Sequence, residues 1–124
     1  MPADEVTPEE TLLDFSRAFR CMDLDAMMAS IAEDATAFWP VSACLTRLDK
    51  AGMRAQFAAT IAAVRAAGGT EVIRIQSDMR TQQFGDVAVV TFHLRDESFG
   101  RRTFVLQWRW DRWRIVHIHG SDAC

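Results

Sequence analysis

The feature that most constrains this chain is one change of hydrophobic period, at Gly68-Gly69. Upstream, apolar residues recur at helical spacing; downstream they alternate, as in strands. Helices segregated from strands in this order give an α+β fold, with the helices packed on one face of a curved sheet. A chain of 124 residues builds this as a single domain, 1–124, large enough for one core without staples.

Thr7-Pro8-Glu9-Glu10 opens the first helix, with Thr at the N-cap, Pro at the first helical position and Glu completing a capping box. Its stripe is Leu12, Phe15, Phe19 and Met22. Asp23 restarts a shorter helix with Leu24, Met27, Met28 and Ile31 on one face. Asp49 caps a third, whose apolar face is Met53, Phe57, Ile61 and Val64, and Gly68-Gly69 stops it. Between the last two, Thr36–Pro40 is a short extended piece ended by a proline.

The strand half reads as an antiparallel meander. Glu71–Arg80 alternates, with Ile73, Ile75 and Met79 against Arg74, Gln76 and Asp78. Phe84-Gly85-Asp86 turns the chain into Val87–Leu94, which is apolar on both faces and so central. A second turn at Glu97–Gly100 leads into Thr103–Trp110, and Asp111-Arg112 makes a two-residue connection to the last strand. The expected sheet therefore has four antiparallel strands, plus a short extra one near 36–41.

Composition narrows the partners. The chain is 49% apolar and 25% charged, with net charge −3, which attracts neither nucleic acid nor anionic lipid. Its three cysteines lack metal-type spacing and read as free thiols of a reducing compartment. The acidic N-terminus is unlike a signal peptide, and no apolar run approaches the ~20 residues of a membrane span. A cytoplasmic protein is expected.

The last strand carries two of the three histidines, in Trp113-Arg114-Ile115-Val116-His117-Ile118-His119. Strand period puts Trp113, Ile115, His117 and His119 on one face. With the turn at Asp111-Arg112, Trp110 faces Trp113, Trp108 faces Ile115, Leu106 faces His117 and Phe104 faces His119. A turn centred on Ser98-Phe99 would set His93 across from Phe104, so all three histidines converge on one end of the covered face. Shared metal ligation is disfavoured, because His93 and His119 are two strand spacings of about 4.8 Å apart. No cysteine or carboxylate stands at ligand spacing beside them. Neither metal nor cofactor is expected; a polar cleft lining fits better.

Three helices, a curved antiparallel sheet, Ala32-Glu33-Asp34-Ala35-Thr36 and a final Trp-Arg-Ile-Val-His-x-His-x-Ser strand resemble the nuclear transport factor 2-like superfamily over most of the chain. Within it the sequence is most similar to the SnoaL-like group and to the association domain of calcium/calmodulin-dependent protein kinase II. Thr36-Ala37-Phe38 followed by Pro40, with the last strand, matches the association-domain pattern. The resemblance implies a cone, three N-terminal helices closing one side of a strongly curved, mainly antiparallel sheet around a deep cleft.

The superfamily includes ketosteroid isomerases. A gapless match through 23–26 and 33–36 brings Phe15 to the place of the isomerase's oxyanion-binding tyrosine and Trp39 to that of its catalytic aspartate. Neither can do that chemistry, and the chain has no tyrosine, so it is not an isomerase by that mechanism. The association-domain cleft carries arginines suited to a carboxylate. The match places two of them at His93 and Phe104, so a less cationic, more aromatic cleft is expected.

The implied function is a stand-alone domain binding a small, largely apolar organic molecule. Phe15, Phe19, Trp39, Phe57, Phe104, Trp108 and His117 would form the site. One alternative is a cofactor-independent cyclase, isomerase or hydrolase with His119 or His93 as acid–base. Asp34 or Asp86 would orient the imidazole, although both suit caps or turns better. The other alternative is an assembly module with a vestigial cleft. Arg101-Arg102 reads as a solvated hairpin end, and Trp113 as an interface anchor. Val105, Val116 and Ile118, on the outer face, suit a homodimer through the sheet. On this reading His119→Ala impairs binding or turnover, whereas His117→Ala costs stability.

Overall fold

All three helices begin on the side chains that the sequence offers as caps. The computed structural model describes residues 6–39, 46–95 and 100–122. Helix α1 (Pro8–Arg20) starts at Thr7, whose hydroxyl accepts from the Glu10 N–H at 3.2 Å. Helix α2 (Leu24–Ala29) is capped by the Asp23 carboxylate on the Ala26 N–H, and α3 (Lys50–Ala66) by Asp49 on the Gly52 N–H. Each cap satisfies a donor that the first turn would otherwise leave orphaned. Leu12, Phe15 and Phe19 of α1 and Met53, Phe57 and Ile61 of α3 are buried, as their spacing predicts.

Five strands follow the order β1-β5-β4-β3-β2 in one sheet. These are β1 (Ile31–Phe38), β2 (Gln76–Phe84), β3 (Val87–Leu94), β4 (Gly100–Arg109) and β5 (Arg112–Asp122). The fold is α+β, with helices packed on a curved, mostly antiparallel sheet. Strand β3 has its expected bounds and is flanked on both sides. The extra strand is longer than its sequence suggests: Ile31 leaves α2 to start β1, which pairs parallel with β5. Strand β2 begins five residues late. Ile73 and Ile75 precede it and are 61% and 53% exposed. The turn at 98–99 lies outside the described residues.

The β4–β5 hairpin overturns the expected register. Its connection is Trp110-Asp111, with Arg109 opposite Arg112 and Trp108 opposite Trp113. Leu106 faces Ile115, but Val105 then faces His117, so Val116 is an extra residue. This bulge inverts the alternation beyond it. Trp113, Ile115 and Ile118 are all buried on the core side, whereas His117 is half-buried and His119 exposed on the other. Phe104 pairs with Ile118 and His119 with Thr103. The reversal has a physical cause: two imidazoles inside would need partners that the apolar core lacks. Trp113, 1% exposed, is core and not an interface anchor.

Trp110 holds φ at +65° while 97% of it is exposed. A bulky residue in the left-handed region pays a steric cost without burial to offset it. Trp110→Gly should therefore raise stability by about 0.5–1 kcal/mol, the relieved strain exceeding glycine's extra unfolded-state entropy. Chemical denaturation read by circular dichroism checks this; a less stable variant would contradict it.

Candidate functional site

Between α1, α3 and the core-facing side of β3 and β4 lies a cleft of about 440 Å³. Its wall is aromatic: Phe15 and Phe19 from α1, Phe57 from α3, Phe92 from β3, Phe104 from β4, and Trp39 just after β1. Phe57 makes edge contacts with Phe15, Phe19 and Trp39, at centroid distances of 5.6, 5.5 and 5.1 Å. Phe92 stacks on Phe104 at 5.7 Å. These contacts fix the rings, so the wall is formed in advance of any ligand.

One charge is set into this wall. Arg102 of β4 is 8% exposed and lines the cleft, its guanidinium carbon 5.7 Å from the Trp39 ring centre. Its Nη1 donates to the Arg101 carbonyl at 2.9 Å, the Ser121 carbonyl at 3.3 Å and Asp122 Oδ1 at 3.2 Å. The group is thus held by one edge. A Cβ at position 100 would lie 2.5 Å from Asp122 Oδ1 and 2.8 Å from Arg102 Nη1, so Gly100 makes room for the pair. At the rim, Gln76 donates to the Ser16 hydroxyl at 2.8 Å, and Arg17, Arg20 and Arg74 ring the mouth.

Of the residues expected at the site, Phe15, Phe19, Trp39, Phe57 and Phe104 line this cleft. Trp108 does not; it packs edge-on against Trp113 at 5.8 Å. The three histidines do not either. His93 pairs with Arg101 across the strands, not with Phe104, and lies on the outer sheet face with His117 and His119. They still gather towards one end of the sheet, but on its other side. Asp34, an expected acid, makes two hydrogen bonds to Arg109, at 2.6 and 3.2 Å. The bonding guanidinium holds its carboxyl below the usual range. Asp86 stands in the β2–β3 turn, its carbonyl accepting from the Trp108 N–H. Ile118 is in the core and drops out of the outer face. Arg102 is the residue missed. Strand period places it with Phe104 and Leu106, and starting the strand at Thr103 hid it.

The outer cluster has its own electrostatics. His117 Nδ1 lies 2.8 Å from Thr36 Oγ1, with Phe38 packed against both His117 and His119 at 5.9 and 5.7 Å. The Arg47 guanidinium stands over Phe38 at 5.3 Å. Burial lowers the His117 pKa first, and repulsion from His119 and Arg47 adds to it, against a hydrogen bond with the Thr36 backbone. Among the described residues no group of histidines, cysteines and carboxylates could hold a metal ion.

Helices packed on a curved, mostly antiparallel sheet are the fold of solved proteins named NTF2-like. The chain belongs to the SnoaL-like domain family, whose pattern matches residues 9–124. A comparison with curated proteins gives no significant match. Among solved structures, a protein of Thiobacillus denitrificans named for the calcium/calmodulin-dependent protein kinase type II association domain is 21% identical, with each chain wholly covered and a TM-score of 0.75. A Streptomyces avermitilis member of the NTF2-like family, named as a dehydratase, is 15% identical over 92% of this chain and 91% of its own, with a TM-score of 0.75. A Parabacteroides distasonis protein named as a ketosteroid isomerase is 18% identical over 97% and 90%, with a TM-score of 0.73. At these identities they share the fold.

The lowered His117 pKa has a defined sign. The unfolded chain, titrating near 6.5, binds the proton more readily than the folded one. Stability from this group is therefore complete above that value and is lost as pH falls through it towards the lower folded pKa. Melts of wild type and His117→Asn between about pH 7.5 and 5 should show a steeper acid loss in the wild type. Parallel curves would contradict the assignment.

Proposed function

We propose that this domain binds a small, largely apolar organic acid in the cleft, rings against the aromatic wall and carboxylate on Arg102. The observation that carries this reading is the buried guanidinium. A buried ion pair seldom stabilises a fold better than apolar residues of the same volume. Arg102 therefore suits recognition, because its fork matches a carboxylate and the surrounding rings exclude water that would compete. The volume of about 440 Å³ supports a ligand of one or two rings and counts against a vestigial cleft filled by Trp39 and Phe104.

The cleft favours binding over turnover. Among its described lining residues there is no carboxylate, imidazole or thiol, so histidine acid–base chemistry has no base there. The names of the solved relatives, a dehydratase and an isomerase among them, leave catalysis as the second reading.

The homodimer is proposed through the outer sheet face, where Val87, Val89 and Val105 are half-buried on neighbouring strands. That stretch replaces the patch that included Ile118. Among the described residues no helix is long and apolar enough to cross a membrane. Cys21 is an exposed free thiol, which supports a reducing, cytoplasmic setting.

Calorimetry with benzoate, phenylacetate and their amides tests the ligand class. The acids should bind wild type about tenfold or more tightly than the amides, and Arg102→Gln should erase that preference. Arg102→Met, which keeps the volume apolar, is the folded control. Equal affinity for acid and amide would sink the reading. For the dimer, light scattering should give twice the monomer mass, and Val89→Arg should halve it; a monomeric wild type would refute the interface.

A further inference from the structure

We propose a second binding site, for a phosphate-bearing small molecule, in the groove on the outer sheet face formed by Asp78, Arg80, Thr91, His93, Arg101 and Thr103. It lies on the outer side of the sheet and shares Phe92 and Arg102 with the lining of the cleft.

The register brings these residues together. Arg80 pairs with Thr91, Thr91 with Thr103, and His93 with Arg101. The two hydroxyls thus lie side by side on β3 and β4, the imidazole stands next along β3, and the guanidinium groups flank them from β2 and β4. Together they border a depression of about 470 Å³. Arg80 and Arg101 make no ion pair with a described residue. Besides Phe92 and Arg102, which also line the cleft, the groove is bordered by two arginines, two threonines and a histidine against one carboxylate, in a chain of net charge −3. Cationic charge concentrated against the sign of the whole protein marks where an anion goes.

Backbone geometry adds a second observation. Between Ser77 and Arg80 strand β2 gains a residue relative to β3, and Asp78 there adopts φ +53°. Aspartate tolerates that region better than most residues, but the conformation still costs. What the bulge achieves is a carboxylate 3.5 Å from His93 Nδ1. With Nδ1 so engaged the ring is oriented, and Nε2 donates to a ligand only as the imidazolium. Strain that aims one acid at one imidazole, beside two arginines that form no ion pair with a described residue, is spent on a site.

The groove chemistry selects phosphate. Arg80 on β2 and Arg101 on β4 stand two strand spacings, about 10 Å, and two residues along the strand apart, so guanidinium forks from both strands can reach an oxyanion over β3. Threonine hydroxyls supply further donors to the remaining oxygens, of which phosphate has more than a carboxylate. A metal ion would need more than one carboxylate, and the described residues do not provide it.

Inorganic phosphate and pyrophosphate are the probes, with calorimetry for affinity and imidazole nitrogen shifts for location. Wild type should bind pyrophosphate with saturable movement of the His93 signals, undiminished by excess benzoate. Arg101→Gln should weaken binding about tenfold, and Arg80→Gln with Arg101→Gln should abolish it. Both positions are exposed, so the variants keep the fold. Binding that survives the double substitution, or no binding by wild type, overturns the site. Displacement of pyrophosphate by benzoate places the anion in the cleft and overturns it equally, while leaving the organic-acid reading to its own test.

Discussion

The extra residue at Val116 determines what each face of this sheet does. Strand β5 sits between β1 and β4, parallel to one and antiparallel to the other. One inserted residue there moves Ile118 into the core and carries His117 and His119 to the far side. Two environments follow. The inner face stays free of imidazole and can become an aromatic cavity; the outer face collects hydrogen-bonding and titratable groups.

Within the inner face, Arg102 is the exception that gives the cavity a polarity. Its guanidinium is tied by one edge to Asp122 and two carbonyls, and Gly100 leaves space for that arrangement. An aromatic cavity alone would accept any apolar body that fits. A fixed cation inside it discriminates by charge as well, because an uncharged analogue leaves the guanidinium desolvated with one edge unmatched. Both partners come from β4 and β5, so the bulged hairpin that sorts the faces also carries the charge.

Much of the outer face consists of polar side chains. From Arg80 through Thr91 and Thr103 to His119 the register runs straight across four strands. Towards the hairpin ends the same face turns to Val87, Val89 and Val105. Apolar and polar portions can therefore serve association and anion binding without competing for the same residues.

How much of this was legible in the chain depends on the range of the interaction. Helix starts at Thr7, Asp23 and Asp49 were legible because a cap joins residues three apart. The spacing of Phe15, Phe19 and Phe57 on their helices, and the bounds of β3, are equally local. The resemblance carried Trp39 and the cone. The face of the histidines was not legible, because strand alternation survives only until one residue is inserted. The insertion at Val116 is settled by contacts with β1, where Thr36 meets His117 from 81 positions away. Arg102 was half legible: its parity with Phe104 is local, but its burial depends on Asp122 across the hairpin. The sequence by itself determined the helix starts, the bounds of β3 and the helical part of the aromatic wall, since those rest on local periodicity and capping. Tertiary structure alone decided the register, hence which polar groups face the cavity and which face away, because pairing between distant strands has no local signature.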